Sequence, residues 1–222
     1  MKHVYKTYDT DRHALRDISF TLNSSELIFL TGASGAGKTT LFKLLSVQEN
    51  ITSGELNFND QSLNDFSLKH MTAYRRKLGI VFQDFRLISE LNIFDNIAIP
   101  LKIQNHSKKE ISVATDEILE RFGLTEYSKS FPDYISGGEK QRVAIARAIV
   151  HKPQLIIADE PTGNLDRRNA LIVLSIFQDL AADGAAVMIA THDEEFLKNT
   201  DNRSRVRQIH LQAGHVMKDS IL

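Results

Sequence analysis

The chain has no cysteine among its 222 residues, no excess of charge of one sign and no long hydrophobic run. The lack of cysteine excludes disulfides, zinc–thiolate sites and catalysis by a thiol. Lysine plus arginine number 27 against 28 aspartate plus glutamate, so the net charge of −1 gives no global argument for nucleic-acid binding. No apolar stretch approaches the ~20 residues that cross a bilayer, and residues 1–6 do not resemble a signal peptide. We therefore expect a cytosolic protein, for which any membrane role requires a partner that supplies the spans.

Strand-like and helical patterns alternate along most of the chain. Residues 155–158 and 187–190 are continuously apolar, as expected of parallel strands covered on both faces. Strand-like runs are predicted at 15–22, 27–30, 54–58, 78–82, 155–158, 185–190 and 206–211. From residue 92 to about residue 151 we find helix signals and no strand pattern, among them the capping-box pattern Ser107–Glu110, and we expect the inserted subdomain at about residues 85–134. These patterns predict an α/β fold with a mostly parallel sheet and an inserted helical subdomain.

Residues 32–39, Gly-Ala-Ser-Gly-Ala-Gly-Lys-Thr, match the phosphate-binding pattern G-x-x-x-x-G-K-[ST] at every fixed position. Glycines let the backbone wrap closely around an anion, and the start of the predicted helix at 41–45 adds partial positive charge. We predict that Lys38 reaches the β- and γ-phosphates of a nucleotide and that the Thr39 hydroxyl binds Mg²⁺. The alternative is a plain glycine-rich turn, which the flanking strand and helix patterns disfavour.

Acidic and polar residues follow three of the predicted strands. Asp159 and Glu160 end the apolar run 155–158, and ligands of open α/β sheets bind at such strand ends. We predict that Asp159 holds Mg²⁺ and that Glu160 polarises an attacking water, although both residues alone fit a simple strand terminus. His192 is predicted to contact the γ-phosphate or position the water, and Gln83 to bind Mg²⁺ and orient water.

Residues 136–141, Ser-Gly-Gly-Glu-Lys-Gln, form a second candidate anion site. Ser136 and Glu139 make another capping-box pattern, and two glycines expose N–H groups at the predicted helix start. Taken alone, the fragment is best interpreted as a plain helix start. One chain rarely needs two anion-binding helix starts for one nucleotide, so the surplus suggests a nucleotide shared between two copies of the chain.

Together these motifs resemble those of the ATP-binding cassette (ABC) ATPases, in the same order and across nearly the whole chain. The matching motifs are Walker A (32–39), the Q-loop (Gln83), the signature (136–141), Walker B (155–160), the D-loop (163–166) and the H-switch (His192). The resemblance implies a P-loop NTPase core at 1–84 and 152–222, with an antiparallel β portion near the N-terminus, and a helical subdomain with the signature helix at 85–151. Ile135 departs from the usual leucine, a mild apolar exchange.

The resemblance also implies an ATPase that converts ATP and water to ADP and phosphate, with Mg²⁺ as cofactor and a head-to-tail homodimer that forms on ATP binding. The implied catalytic residues are Glu160, His192 and Gln83, and the implied metal ligands are Thr39, Gln83 and Asp159. The implied ATP-binding residues are Tyr8, by stacking on the base, with Gly32, Ala33, Ser34, Gly35, Ala36, Gly37, Lys38, Thr39 and Thr40, and from across the dimer Ser136, Gly137, Gly138, Glu139 and Asp166.

Within the family, residues 159–166 resemble a group that contains the cell-division ATPase FtsE, the lipoprotein-release ATPase LolD and the MacB-type ATPases. Residues 82–87 and 95–101 look most like FtsE. This resemblance implies an FtsX-like integral membrane partner, a peripheral position on the cytoplasmic side of the plasma membrane, and control of cell-wall hydrolysis in division. A LolD- or MacB-like role in lipoprotein release or efflux is the alternative. A P-loop small-molecule kinase is a further alternative, which gives residues 136–141 no role.

Two groups of basic residues invite an electrostatic interpretation. Residues 75–77 are Arg-Arg-Lys, and Arg203, Arg205 and Arg207 alternate along a predicted strand. Such groups bind anionic lipid or an acidic partner in some proteins, but a solvated surface is the favoured interpretation here.

Overall fold

The computed structural model describes residues 1–9, 13–64, 66–163, 165–192, 195–201 and 203–222. The strands within these residues are β1 Lys2–Thr7, β2 His13–Ile18, β3 Glu26–Thr31, β4 Ser53–Glu55, β5 Asn57–Phe58, β6 Gln61–Ser62, β7 Leu78–Val81, β8 Leu155–Asp159, β9 Ala186–Ala190, β10 Arg205–Gln212 and β11 His215–Ile221. The α-helices are α1 Lys38–Leu45, α2 Leu68–Arg75, α3 Ile93–Ile103, α4 Lys108–Arg121, α5 Gly137–Ile149, α6 Arg167–Ala182 and α7 Glu195–Lys198.

Six strands form the central sheet, in the order β11-β10-β3-β9-β8-β7. All neighbouring pairs from β10 to β7 are parallel, and only the edge strand β11 runs antiparallel to its neighbour. A separate antiparallel sheet, in the order β2-β1-β4, is built from the first part of the chain. The α/β fold with a mostly parallel sheet and an antiparallel β portion is therefore confirmed.

Side chains of the central strands alternate between two apolar cores. In β3, Leu27 and Phe29 pack on the side of α3, α5 and α6, whereas Ile28 and Leu30 pack on the side of α1 and the antiparallel sheet. Strands β8 and β9 show the same division, and their apolar runs are fully buried. Burial on both faces explains why these runs are continuous rather than alternating in the sequence.

Three helices, α3 to α5, lie between β7 and β8, where the sequence predicts helices and no strand. Both predicted capping boxes are present: Ser107 with Glu110 begins α4, and Ser136 with Glu139 begins α5. The exact division into a core and a helical subdomain at residues 84 and 151 stays a prediction.

Four strand predictions need correction. The run 54–58 is not one strand, because β4 pairs with β1 whereas β5 pairs with β6, and the chain passes from one sheet to the other at the buried Leu56. The predicted strand 15–22 ends at Ile18, and β1 and β11 were missed because their residues are mostly polar and exposed. The signal for β11 is the two-residue turn Ala213–Gly214, with φ of +48° and +81°, which is typical of a tight hairpin.

Arg205 and Arg207 of β10, and Arg203 just before this strand, do not form an anion-binding patch. Arg207 is buried and binds two carboxylates, with its Nη1 2.9 Å from Glu26 Oε1 and its Nε 2.6 Å from Asp219 Oδ1. Arg205 lies 3.5 Å from the same Glu26 oxygen, and Arg203 pairs with Asp179 and Asp201. All three positive charges are compensated within the chain.

We expect Arg207→Met to lower the free energy of unfolding by about 3 kcal/mol, because it leaves the charge of Glu26 buried without its main partner. The Glu26 side chain is 1% exposed. The matched control is Arg203→Met, whose exposed ion pairs contribute little to stability because solvent screens them. Urea denaturation measures both values, and equal losses for the two variants would contradict this view of the buried pair.

Candidate nucleotide-binding site

The parallel strands bring the predicted site residues to one edge of the sheet. Residues 32–39 follow β3, Gln83 follows β7, Glu160 follows β8 and His192 follows β9. Because β3, β9, β8 and β7 are parallel neighbours, their carboxyl ends share that edge. The sheet topology therefore collects these four segments, as the sequence predicts.

The shape of the phosphate-binding loop requires glycine at two positions. Gly32 has φ of +146°, and a Cβ there would lie 2.3 Å from the carbonyl oxygen of Leu211. Gly37 has φ of +110°, and a Cβ there would lie 2.9 Å from the carbonyl oxygen of Ala14. At Gly35 a Cβ would meet no atom within 4 Å, so this side of the loop is open. The loop is thus pressed against its neighbours at both ends and accessible in the middle.

Lys38 lies across this loop. Its Nζ donates hydrogen bonds to the carbonyl oxygens of Gly32 and Ala33, at 2.6 and 3.3 Å. An ammonium group has three donors, so a phosphate oxygen can be bound at the same time. Lys38 is also the first residue of α1, and Gly37 gives that helix no side-chain cap. First-turn N–H groups have no intrahelical partner, so this helix start suits an anion.

Tyr8 lies beside the first turn of α1. Its hydroxyl oxygen is 3.4 Å from Thr40 Oγ1, and Lys6 Nζ is 5.0 Å from the centre of its ring. The residue is 40% exposed. A half-exposed ring next to the phosphate-binding loop is suitable for stacking on a purine, which stays a prediction for Tyr8.

Glu160 and His192 form a hydrogen-bonded pair at the ends of β8 and β9. His192 Nδ1 is 2.8 Å from Glu160 Oε2, with side-chain exposures of 71% and 15%. Glu160 has φ of +47°, a left-handed conformation that costs a non-glycine residue about 1–2 kcal/mol, and its N–H donates to the carbonyl of Ala190 at 2.9 Å. The sequence placed His192 beside Asp159, whereas its hydrogen bond is to the next residue. The strained turn directs the Glu160 carboxylate toward the imidazole.

Asp159 carries an electrostatic cost. Burial raises the pKa of its carboxyl, the neighbouring Glu160 raises it further, and the positive charge of Lys38 partly offsets both effects. The action of Lys38 on Asp159 means that the phosphate-binding loop and the acid share one electrostatic environment. A divalent cation would remove the remaining cost.

The residues predicted to hold Mg²⁺ offer hydroxyl, carboxylate and amide oxygens, from Thr39, Asp159 and Gln83. Such hard oxygen donors fit Mg²⁺. A Cβ on Gly163 would lie 3.4 Å from Gln83 Nε2 and 3.6 Å from the carbonyl oxygen of Glu160, so the Gln83 amide reaches the turn after β8. Among the described residues, no three His, Asp or Glu side chains cluster as a metal site. This is expected when phosphate oxygens and water complete the coordination shell.

The signature segment begins α5 in a fully capped form. Glu139 Oε2 accepts hydrogen bonds from the N–H of Ser136 at 2.7 Å and from its hydroxyl at 2.8 Å. Ser136 and Gly137 are exposed, and a Cβ on Gly137 would meet no atom within 4 Å. This helix start is therefore accessible, whereas the Glu139 carboxylate is used by the cap.

Asn169 was not identified from the sequence. A Cβ on Gly138 would lie 2.8 Å from Asn169 Cγ, and Asn169 donates to Asp166 through its N–H at 2.9 Å and its side-chain amide at 2.8 Å. Asp166 thus caps α6 while Asn169 contacts the signature helix. The signal is the Asp-x-x-Asn spacing of a helix cap. Asn164, in the same D-loop, lies outside the described residues.

Comparisons with known proteins show the family of the chain. The family model described as ABC transporter matches residues 15–163. FtsE of Bacillus subtilis is 38% identical over 219 residues, covering 99% of this chain and 94% of that protein. LolD of Buchnera aphidicola is 42% identical over 196 residues, covering 87% and 86%. The ATP-binding cassette MJ0796, solved as a dimer bound to ADP and Pi, has a TM-score of 0.88 at 31% identity and covers 100% of this chain and 97% of that one.

The chain therefore belongs to the ABC transporter family, as an ATPase cassette. In the part of the chain that the structure describes, no helix combines the length and the apolar character that a membrane span requires.

We expect Asp159→Asn to stabilise the nucleotide-free protein at pH 7.5. The native pKa of Asp159 is raised above its value in the unfolded chain, so the ionised carboxylate destabilises the fold above that native pKa. As the pH falls below both pKa values, the wild-type carboxyl is protonated in both states and the gain disappears. Urea denaturation at pH 7.5 and at pH 3, which lies below the ordinary aspartate pKa, measures the difference. A variant less stable than wild type at pH 7.5 would contradict the view that the ionised Asp159 carboxylate destabilises the nucleotide-free fold.

Proposed function

We propose that this chain is the ATP-hydrolysing subunit of a bacterial FtsE-like complex, which couples ATP-driven dimerisation to an FtsX-like membrane partner that regulates cell-wall hydrolysis during division. The observation that carries the enzymatic part is the meeting of Lys38, Asp159 and the Glu160–His192 pair at one sheet edge.

In the proposed reaction the loop amides and Lys38 bind the phosphates. Thr39, Asp159 and Gln83 would hold Mg²⁺, which neutralises phosphate charge. Glu160 accepts a proton from the attacking water, whose oxygen bonds to the γ-phosphorus while the bond from that phosphorus to the bridging oxygen of ADP breaks. His192, hydrogen-bonded to Glu160, fixes the orientation of this base and contacts the γ-phosphate.

The order of the sheet supports an ATP site shared between two chains. The phosphate-binding loop follows β3, whereas α5 packs against β7, and β9 and β8 lie between those strands. Three inter-strand spacings amount to roughly 14 Å. Because the start of α5 and the middle of the loop are both open, the arrangement suits a nucleotide that bridges the loop of one chain and Ser136, Gly137 and Gly138 of another. In this proposal Asp166 lies at the same junction.

The membrane partner is inferred from relatives and from exposed apolar residues. FtsE relatives align over nearly the whole chain, while the LolD relative leaves lipoprotein release or efflux as the second candidate. Ile88, Ile103 and Phe131 are 41, 59 and 42% exposed, near the Gln83 loop and on the helical segment. We infer that some of these exposed apolar side chains contact a cytoplasmic helix of the partner, on the cytoplasmic face of the membrane.

The direct test uses Glu160→Gln, which keeps the shape of the side chain but removes the base. We expect this variant to retain ATP and to elute as a dimer in size-exclusion chromatography with ATP and Mg²⁺, while hydrolysis falls by roughly 100-fold or more.

Gly137→Ala in the same background tests whether the signature segment is needed for dimerisation. A Cβ there meets no atom of its own chain within 4 Å, so we expect unchanged thermal stability but loss of the ATP-dependent dimer. A monomeric Glu160→Gln variant, or a Gly137→Ala variant that still dimerises, would contradict the shared site.

Affinity capture of this chain from native membranes distinguishes the candidate membrane partners. Capture of an FtsX-like protein supports the division role, whereas capture of a lipoprotein-release permease supports the LolD-like role.

A further inference from the structure

The loop that follows Gln83 folds back onto the end of β7. The N–H of Phe85 donates to the carbonyl of Phe82 at 3.2 Å, and the Arg86 guanidinium lies 3.9 Å from the centre of the Phe82 ring. Arg86 Nε also donates to Asp84 Oδ1 at 3.1 Å. Gln83 therefore lies within a closed turn whose ends are held together on either side of it.

Two consecutive residues of this turn have a conformation that side chains disfavour. Phe85 has φ of +59° and Arg86 has φ of +48°. Neither is glycine, and such conformations persist only where surrounding contacts impose them. The N–H groups of both residues are held within the turn, by the carbonyl oxygens of Phe82 and Asp84. Their own carbonyl oxygens take no part in those hydrogen bonds, so the restraint on the carbonyl side comes from elsewhere.

Arg147, in the last turns of α5, supplies that restraint. Its Nη2 donates to the carbonyl of Phe85 at 2.7 Å and its Nη1 to the carbonyl of Arg86 at 2.6 Å. A planar guanidinium holds two neighbouring acceptors in a fixed geometry, which a lysine ammonium on a flexible stem does not reproduce.

The charge of Arg147 is not used in an ion pair with any described residue, since no carboxylate among them lies within 4.0 Å of it. The guanidinium is largely enclosed, and burial lowers its pKa. A partly buried charge that binds only backbone carbonyls gains no ion pair in return for its lost hydration. The proposed reaction described above gives this arginine no role.

We propose that Arg147 is a positioning residue for Gln83: it fastens the loop 84–87 to the signature helix α5, so that Gln83 and the helix that begins at Ser136 move as one unit. This inference rests on the proposed function, in which Gln83 contacts Mg²⁺ and the attacking water. Closure of the signature on a nucleotide is then transmitted along α5 to Arg147, and from Arg147 to Gln83.

The test is a double-mutant cycle of Gln83→Ala and Arg147→Lys on the full-length chain, with steady-state ATP hydrolysis as readout. We expect Arg147→Lys to lower kcat roughly tenfold, as for other residues that orient a ligand-binding group. The KM for ATP is expected to stay within about twofold, because the phosphate-binding loop is untouched. In the Gln83→Ala background, Arg147→Lys should lower kcat no further.

The matched control is Arg121→Lys, which alters an exposed pair with Asp183 and should leave kcat unchanged. Amide hydrogen exchange provides a readout independent of activity: in Arg147→Lys, peptides covering 83–88 should exchange faster while those of β7 and α5 keep the wild-type rate. Multiplicative losses in the double variant, a wild-type kcat for Arg147→Lys, or faster exchange throughout α5 would each overturn the proposal. Unchanged turnover in Gln83→Ala alone would instead show that the catalytic role of Gln83, on which the proposal rests, is wrong.

Discussion

The close contact between Gly32 and strand β10 is the constraint on which the rest of this site depends. The carbonyl of Leu211 occupies the space of a Cβ at position 32, so the turn after β3 is shaped by the neighbouring strand of its own sheet. This turn determines where α1 begins, where Lys38 crosses the loop, and how Lys38 acts on Asp159. Changes at Gly32 therefore reach Lys38 and, through Lys38, Asp159.

Two energetically unfavourable features, one electrostatic and one conformational, lie at the same edge of the sheet. Asp159 and Glu160 are adjacent carboxylates in a partly buried place, and Glu160 sits in a left-handed turn. Such costs are tolerated at functional sites because a ligand or a conformational step compensates for them. Here a cation and a polyphosphate would compensate for the charges. The helix α5, whose start is open, packs against β7, three inter-strand spacings from β3, and this supports the view that a second copy completes the site.

The sequence predicted most of this arrangement because motif residues follow buried apolar strands. Parallel strands place residues 32–39, Gln83, Glu160 and His192 at one edge whatever the details of the loops, and both capping boxes are local patterns. The sequence did not predict the contacts of Asn169 and Arg147, because those contacts depend on how helices pack at long range. For the same reason the sequence did not separate β4 from β5. The two strands belong to different sheets, but no glycine or proline lies between them to mark the change.

The central claim is that one nucleotide joins the phosphate-binding loop of one chain to the signature of another. The absence of cysteine allows a clean test with a Ser34→Cys, Ser136→Cys chain in the Glu160→Gln background, treated with a short bis-maleimide. Both serines are exposed. The account predicts a cross-linked dimer that forms only when ATP and Mg²⁺ are present. A cross-link within a single chain, or a dimer band of equal intensity without ATP, would contradict it.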